Sequence, residues 1–540
     1  MIIKRRFLTV LLIACVVGGL YAISSRGLTV EPKEETEEIE EPLFGHRETL
    51  YLWYTDEALT DYLNSVAVAY NDFQDEARVI PVHTSGAEYL ETINQASLHS
   101  EEVPDLYIVG NDSLEKAYLA GLASEIRIPE GVLPMSNFFT DTAIHAATYH
   151  DKQIGYPFYF ETSSFLYNKT YLEDWACAQI EAELDVAAAE AAEAELAQNG
   201  PVEEAGEEGA ESGESGSPEG TETADASQTE NAEGTPDADG INENAVAERV
   251  EEALPKTIDD ILAFADVYDA PEQVEAIFKW DVSDIFYNYF FVGNYIDVGG
   301  IAGDRDDSIN IYNEDAIRCM RVYQDLNQFF SIDTEEISYA DILQDFIDGK
   351  IVYTVVTTDA LAKIEEAKAN GEFQYEYGTS LIPNVNEELV SRSLSVTQCI
   401  VVNGYSMHKD MANDFAVYLS CYNADNLYDR TGKMPARTDV IFDNENVQAF
   451  IAEYEKSAPN PKMIGTSNYW VEMEIAFARI WVGNDANAEL KSLSEKIMTQ
   501  VKGEEYTEEY IDVPEDEPEE EEYVDGEMAE ETEGDAKGTE

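Results

Sequence analysis

Two short polar turns of the sequence hold side chains that suit the binding of a hydroxyl-rich ligand. Each turn follows an apolar run, and together they place Trp53, Tyr54, Asp56, Asn111 and Asp112 at or just after the ends of two candidate strands. An ionised carboxylate forms strong, often bidentate hydrogen bonds, and an aromatic face can stack on an apolar ligand face. The alternatives are structural, since Asp112 could cap a helix and the two aromatic residues could be packing residues. We predict all five as candidate ligand contacts.

The sequence lacks the common patterns of catalytic and metal sites. It has no Gly-x-Ser-x-Gly, Walker or His-Glu-x-x-His motif, no CxxC among its five cysteines, and no metal spacing among its six histidines. The run Asp304 to Asn310 resembles a calcium loop only faintly, because that motif's glycine and final glutamate are missing. We therefore predict no catalytic residue, no metal and no cofactor. Paired carboxylates are so frequent that glycoside hydrolysis stays open as an alternative.

Strand-like and helix-like segments alternate three times between residues 50 and 121. The strands are 50–54, 78–83 and 106–109, and each is followed by apolar residues at helical spacing. This alternation predicts an α/β fold with a parallel sheet and helices on both faces. In such sheets the ligand crevice lies beyond the carboxyl ends of the strands, which is where the two polar turns stand.

The charge of the chain is strongly negative and unevenly distributed. The 540 residues include 112 acidic and 32 basic side chains, a formal net charge of −80. Much of the excess lies in 29–48, 178–253 and 503–540, which we predict to be a disordered linker, insertion and tail. The start of the insertion, 180–196, could be helical because it is rich in alanine and glutamate. A phosphate backbone would be repelled by this field, so nucleic acid is excluded as a partner.

The first 28 residues form a predicted signal or membrane-anchor segment. Basic residues 4–6 precede an apolar run, 7–23, which predicts export of everything that follows. Three outcomes stay open: lipidation of Cys15, cleavage at Ala22-Ile23-Ser24, or an uncleaved anchor helix. We favour a tether, lipid or helix, that holds the protein at the extracellular face of the cell membrane.

A motif in the middle of the chain resembles a known family. Tyr156-Pro157-x-x-x-Glu161 followed by Tyr167-Asn168-Lys169 is similar to the first crossover segment of ABC-transporter solute-binding proteins of the maltose-binding type. Further landmarks of that family follow in its order, over 49–177 and 254–502. They are Pro104-Asp105 with Asn111-Asp112, Pro255-Lys256-Thr257, Phe346-x-x-Gly349-Lys350, Met411 to Leu419, Gly432-x-x-Pro435-Ala436 and Tyr469-Trp470.

The resemblance implies a two-lobed, periplasmic-binding-protein-like (type II) fold. Each lobe would be a sheet flanked by helices, with the ligand cleft between them. Lobe one is expected over 49–157 plus 395–430, and lobe two over 158–394 plus 431–502. Such a receptor would capture a small ligand, most often a mono- or oligosaccharide, and deliver it as a monomer to ABC permease subunits. A sensory or adhesion receptor of the same fold without transport is the alternative.

The resemblance also implies roles for individual residues. Glu161 and Asp112 stand where the family places carboxylates that bind sugar hydroxyls, and Trp470 stands where it places a tryptophan that stacks on a sugar ring. The alternatives are a solvated hinge carboxylate for Glu161 and a core position for Trp470. Two other ligand tryptophans of the family are replaced here by Val109 and Asp359. Trp53 and Tyr54 could supply the missing aromatic faces, as could Tyr159 or Tyr289.

Overall fold

The computed structural model describes residues 47–99, 103–199, 242–330, 332 and 337–514. The strands of this part of the chain, in order, are β1 (Glu48–Tyr54), β2 (Ala77–His83), β3 (Pro104–Gly110), β4 (Thr148–Tyr149), β5 (Lys152–Gln153), β6 (Tyr156–Asn168), β7 (Ala276–Phe278), β8 (Asp297–Val298), β9 (Ile309–Asn310), β10 (Ile351–Thr357), β11 (Tyr377–Ser380), β12 (Leu394–Val402), β13 (Met434–Pro435) and β14 (Ala458–Pro459).

Helices connect these strands and cover both faces of the sheet. In chain order they are α1 (Thr60–Phe73), α2 (Tyr89–His99), α3 (Leu114–Leu119), α4 (Asp141–Ala146), α5 (Lys169–Asn199), α6 (Glu243–Ala253), α7 (Ile258–Val267), α8 (Ile285–Asn288), α9 (Glu314–Phe330), α10 (Tyr339–Ile347), α11 (Ala360–Asn370), α12 (Lys409–Val417), α13 (Leu427–Thr431), α14 (Val447–Lys456), α15 (Tyr469–Trp481) and α16 (Ala486–Lys502). None of the described helices has both the length and the apolar composition needed to cross a membrane.

The first half of the sheet has the predicted alternation of strand and helix. Strand β1 pairs in parallel with β2 on one side and with β3 on the other. Leu50 and Leu52 point into a core that includes helix α1, whereas Tyr107 points to the opposite face and packs in the cluster that includes α2. Because successive strand residues face opposite sides, the nearly continuous apolar strand β3 is buried against helices on both faces. The predicted α/β class is confirmed.

Strand β6 joins the two halves of the sheet. Its first part, Tyr156 to Thr162, pairs antiparallel with β12, and its second part, Ser163 to Tyr167, pairs antiparallel with β10. The resulting main order is β2-β1-β3-β12-β6-β10-β7. All but two residues of β6 are buried, as expected for a strand that is covered on both faces. Glu161 therefore lies close to the point where the chain passes from one half to the other.

An aromatic core stabilises the second half. The ring of Trp280 stacks on Phe278 at 4.6 Å and meets Trp481 edge-to-face at 5.7 Å, and Tyr323 lies 5.0 Å from Trp481. Trp280, Trp481 and Tyr323 are each at most 1 % exposed. Buried aromatic pairs of this geometry contribute about 0.5–1.5 kcal/mol each beyond the area that they bury. This core supports the second half of the sheet.

The insertion is ordered at both ends, which corrects the prediction that all of 178–253 is disordered. Helix α5 continues to Asn199 and α6 begins at Glu243, whereas 200–241 lie outside the described residues. Arg249 on α6 binds Glu183 on α5 with two hydrogen bonds of 2.9 and 3.1 Å, and Val250 is 4 % exposed. The predicted disorder extended too far because an apolar anchor and an ion pair fix α6 against α5.

The acidic tail also begins later than predicted. Residues 503–514 contact helices α9 and α16: Val513 is buried, Arg321 donates hydrogen bonds to the carbonyl oxygens of Val513 and Pro514, and Asn487 donates to that of Ile511. Two apolar side chains and satisfied carbonyl groups hold this segment in place. The rest of the predicted tail, 515–540, and the N-terminal segments 1–28 and 29–46, including Cys15, lie outside the described residues.

Shortening the insertion is expected to distinguish its ordered ends from its centre. Replacing 200–241 by a short Gly/Ser linker should leave the melting temperature within a few degrees. Replacing 178–253 should lower the unfolding free energy by about 2 kcal/mol or more, because Val250 then leaves the core. Thermal and denaturant melts of the two variants compare these outcomes. Loss of folding in the shorter replacement would show that 200–241 packs against a lobe.

Candidate functional site

A cavity of about 490 Å³ opens beside the point where β6 crosses between the halves. Its wall combines carboxylates, hydroxyl groups, aromatic rings, one amide and one lysine. The contributing segments are the middle of β6, the start of α8, the start of α10, the end of β10, the start of β12 and the start of α15. The lining residues are Glu161, Asp284, Ile285, Phe286, Tyr287, Tyr339, Thr357, Thr358, Asp359, Leu394, Val396, Lys433, Asn460 and Trp470.

Lys433 connects the cavity to the first half of the molecule. Its ammonium nitrogen lies 2.8 Å from Asp56 Oδ2 and 3.2 Å from Glu161 Oε1, and 5.5 Å from the centre of the Tyr159 ring. The Lys433 side chain is only 19 % exposed. Burial lowers the pKa of Lys433, but Glu161 and Asp56 outweigh burial and hold that pKa above its ordinary value. The lysine is therefore charged at neutral pH and is shared between two carboxylates.

Asp56 has two roles at once. It follows β1, and its Oδ1 accepts the backbone N–H of Ala58 at 3.0 Å, which caps the short 3-10 turn before α1. Its second carboxylate oxygen binds Lys433. Because Asp56 belongs to the first half and Lys433 immediately precedes β13, this ion pair fixes the position of β1 relative to the cavity wall.

A pair of stacked tyrosines forms the opposite wall. The rings of Tyr287 and Tyr339 lie 4.7 Å apart with an interplanar angle of 19°. The Tyr339 hydroxyl donates to Asp359 Oδ1 at 3.0 Å, and Asp359 also accepts the Thr357 hydroxyl and pairs with Lys363. Burial raises the pKa of Asp359, but Lys363 and these hydroxyl groups outweigh it, so the pKa is below its ordinary value. The wall is thus a fixed aromatic surface edged by an ionised carboxylate.

Trp470 occupies the boundary between cavity and core. It is partly buried, it lines the cavity, and its indole N–H donates to Asn460 Oδ1 at 2.8 Å. Its ring meets Tyr289 edge-to-face at 5.4 Å and Tyr469 at 4.8 Å. Trp470 therefore packs against the core and also lines the cavity, and its stacking on a sugar ring stays a prediction.

The structure gathers some predicted ligand contacts and separates others. Glu161 and Trp470 line the cavity, and Asp56 and Tyr159 contact its lysine. Asp112 is not in the lining; its carboxylate lies over Gly110, where an added Cβ would be 2.6 Å from Asp112 Oδ1.

Three further predicted contacts lie within the protein instead of along the cavity. Tyr54 is 1 % exposed, and its hydroxyl donates to Thr60, whereas Trp53 packs against the cluster on the other face of the sheet. Neighbouring residues of a strand face opposite sides, so these two aromatic rings could not both face one cleft. Asn111 is 1 % exposed, accepts the N–H of Thr397 and donates to the carbonyl oxygen of Asn460. This amide joins β12 to the segment after β14 and has a protein partner at each polar atom.

Most residues that line the cavity were not predicted from the sequence. Thr357 ends the buried strand β10 and Thr358 and Asp359 directly follow it, so the rule that identified the turns after β1 and β3 could also have found them. Lys433 stands inside a recognised landmark but had no partner visible in sequence. Asp284 begins α8 as its N-cap, and that signal is common to many helices without a ligand role.

No group of three or more metal-ligating side chains occurs in the described ranges. In the segment that resembles a calcium loop, Asp304 Oδ2 accepts the N–H of His150 at 2.6 Å, and Asp307 forms an ion pair with Arg305. These carboxylates are therefore engaged in contacts between protein groups.

Comparison with solved structures identifies the fold, although no protein-family model and no curated protein matches the chain. A maltose complex of an extracellular solute-binding protein from Staphylococcus aureus is 17 % identical, with a TM-score of 0.60 over 85 % of this chain and 98 % of that one. The periplasmic maltose-binding protein MalE from Listeria monocytogenes is 18 % identical (TM-score 0.59, 86 % and 100 % covered). The GacH receptor of Streptomyces glaucescens is 14 % identical (TM-score 0.58, 85 % and 100 % covered). The predicted two-lobed fold of maltose-binding type is confirmed, and the likeness extends over nearly all of each of these chains.

Proposed function

We propose that this protein is an extracellular receptor that binds a carbohydrate in the cavity between its lobes and does not transform it. The observation that carries the proposal is the composition of the cavity wall. Carboxylates, hydroxyl groups and an amide stand beside four aromatic rings, those of Phe286, Tyr287, Tyr339 and Trp470. The similar structures from S. aureus and L. monocytogenes contain maltose, which supports a sugar as the ligand class.

The wall matches the two surfaces of a sugar. A pyranose ring has apolar C–H faces, which aromatic rings cover, and a rim of hydroxyl groups, which need charged or polar partners. Glu161 and Asp359 can accept hydrogen bonds from sugar hydroxyl groups, while Lys433 can donate a hydrogen bond to a ligand oxygen. The Thr358 hydroxyl can do either. Leu394 and Val396 contribute apolar surface between these groups.

Ligand capture would couple the two lobes. Asp56 belongs to the first half, Glu161 to the strand that joins the halves, and Asp359 and Trp470 to the second half. A sugar that contacts groups on both sides would favour the closed arrangement, because only that arrangement satisfies all of the contacts together. We further propose delivery to an ABC permease in the membrane. The N-terminal tether, with Cys15 as a candidate lipid site, would raise the local concentration of the receptor there.

Two of the three lining carboxylates favour binding over catalysis. Glu161 is paired with Lys433, and Asp359 is held below its ordinary pKa by Lys363 and two hydroxyl groups. A general acid for glycoside cleavage requires a carboxyl group with a raised pKa that stands opposite a second, free carboxylate. Release of shortened sugars during prolonged incubation would contradict this part of the proposal.

Cavity variants are expected to lose affinity without losing the fold. Glu161→Gln and Trp470→Ala should each weaken sugar binding by about 1–3 kcal/mol, the cost of a lost charged hydrogen bond or aromatic contact. Asp112→Asn is the matched control: it removes a carboxylate from a predicted contact that does not line the cavity, and it should change affinity less than twofold.

The full chain is first screened by thermal shift against maltotriose, cellotriose and N,N′,N″-triacetylchitotriose. Calorimetric titration with the trisaccharide that binds then compares the variants, and denaturant melts monitor their folding. Equal affinity of the wild type and both cavity variants would reject this cavity as the binding site. A larger effect of Asp112→Asn than of Glu161→Gln would relocate the site toward the end of β3.

A further inference from the structure

We propose that the cavity selects sugars that carry an ammonium group, that is, amino sugars with a free amine. The proposal rests on the proposed function, because it specifies which carbohydrate the same cavity prefers. It is carried by the combination of an aromatic wall with a carboxylate, Asp284, that has no cationic partner in the described part of the chain.

The charges around the cavity do not balance. Its ion pairs comprise Lys433 with Asp56 and Glu161, and Lys363 with Asp359. With Asp284 there are four carboxylates and two ammonium groups, so two negative charges remain. A neutral ligand would leave this excess in a partly enclosed space, where charges interact more strongly than in bulk water. A ligand with one or two positive charges would compensate it.

Asp284 is the group best placed to receive an ammonium. Its Oδ1 accepts the N–H of Phe286 at 2.8 Å as the cap of α8, and its side chain is exposed at the cavity wall. No lysine or arginine of the described residues forms a salt bridge with it. Its electrostatic neighbours include two acidic groups, Asp281 and Glu474.

The electrostatic surroundings of Asp284 agree with this geometry. Partial burial is the largest effect on Asp284 and raises its pKa. The hydrogen bond from the Phe286 N–H lowers this pKa, and the Asp281 carboxylate raises it. Burial raises the pKa of Glu474, and the Asp284 carboxylate raises it further. Mutual repulsion of this kind is relieved when a cation binds between the carboxylates. The ligand would thus gain free energy that the empty cavity lacks.

The aromatic rings strengthen the case for a cation and also limit its shape. Phe286, Tyr287 and Tyr339 line the same cavity as Asp284, and the electron-rich face of an accessible ring attracts an ammonium. A simple polyamine would use the charge and the rings but not the hydroxyl and amide groups of Thr357, Thr358 and Asn460 on the same wall. An amino sugar can use the charge and the aromatic rings and also the hydroxyl and amide groups.

The test compares two trisaccharides that differ in charge. Chitotriose with free amines and its fully N-acetylated form are titrated into the full chain at about pH 6, where the amines and most carboxylates are ionised. We expect the amine form to bind at least about tenfold more tightly, the factor that about 1.4 kcal/mol of charge-assisted hydrogen bonding supplies. Its affinity should fall as salt is added, because screening weakens charge pairs, while that of the acetylated form should not.

Variants then assign the preference to Asp284. Asp284→Asn keeps a side chain that can cap α8 and should remove the preference for the amine form, so that the two trisaccharides bind the variant with affinities within about twofold of each other. Asp306→Asn, an exposed acid outside this cavity, is the matched control and should change neither.

The outcomes separate this inference from the proposed function. If the acetylated sugar binds through Trp470 and the amine form binds no better, the inference is wrong and the receptor function stands. If neither trisaccharide nor any neutral sugar of the screen binds in a Trp470-dependent way, the proposed function fails as well. If spermidine binds as tightly as the amine form, charge alone is recognised and the amino-sugar assignment is wrong.

Discussion

Raising the pH from about 9 to about 11 is expected to unfold this protein cooperatively, because the unfolded chain loses phenolic protons near pH 10 that the folded chain retains. Burial raises the pKa of Tyr70, Tyr268 and Tyr428 to about 12. Burial raises the pKa of Tyr323 and Tyr454 further still. The chain has 32 tyrosines, and many others are buried in the same way.

The raised tyrosine pKa values determine whether stability rises or falls with pH. A phenol whose folded pKa exceeds its unfolded pKa contributes its full stability below about pH 10 and loses it as the pH rises toward the folded value. Each such tyrosine costs about 1.4 kcal/mol per pH unit above 10, so about ten of them cost about 14 kcal/mol at pH 11, which is comparable to the 5–15 kcal/mol that stabilises a typical protein. Lys462 opposes this trend: burial lowers its pKa to about 8, so the unfolded state binds the extra proton between pH 8 and 10. One lysine offsets only a small part of the total.

Circular dichroism and tyrosinate absorbance measured on one pH series test this expectation. Secondary structure and phenol ionisation should change together in one transition. Ionisation of most tyrosines near pH 10 with unchanged circular dichroism would contradict it, since the phenols would then be accessible in the folded state.

Replacing Lys433 is the substitution with the largest expected effect. Lys433→Met leaves Asp56 and Glu161 facing each other without a cation, at 29 % and 38 % side-chain exposure. Breaking a fully buried pair costs about 3–5 kcal/mol, and partial exposure reduces this to about 2–3 kcal/mol. Sugar affinity should also fall, because the two carboxylates repel each other at the edge of the cavity.

A double-mutant cycle separates charge from shape. Glu161→Gln added to Lys433→Met should recover part of the lost unfolding free energy, because one uncompensated carboxylate is removed. Lys496→Met is the matched control: Lys496 pairs with Glu472 at 2.7 Å but is 44 % exposed, so we expect a loss below about 1 kcal/mol. Urea melts at pH 7 measure all variants. Equal losses for Lys433→Met and Lys496→Met would show that the Lys433 pairs contribute no more than a surface ion pair.

The sequence by itself determined the elements and their class. The strands that contain Leu50, Val79 and Ile108 and the helices after them could be identified from local periodicity, because apolar spacing of two or about 3.6 residues reports the face that each element buries. Glu161 and Trp470 could be found from the motifs around them. The same local signals were insufficient for Trp53 and Tyr54, which strand geometry places on opposite faces.

Only the tertiary structure decided how the cavity is assembled. Lys433 meets Asp56 and Glu161 across 377 and 272 residues of sequence, and Tyr287 stacks on Tyr339 from a different helix. Neither contact has a local signature, because a lysine or a tyrosine looks the same in sequence whether it is solvated or paired. Asp112 and Asn111 show the converse: their motif indicated a ligand contact, and the packing of β3 against β12 gave Asn111 protein partners instead. Long-range packing determines which polar groups remain free to bind, and a local pattern carries no record of it.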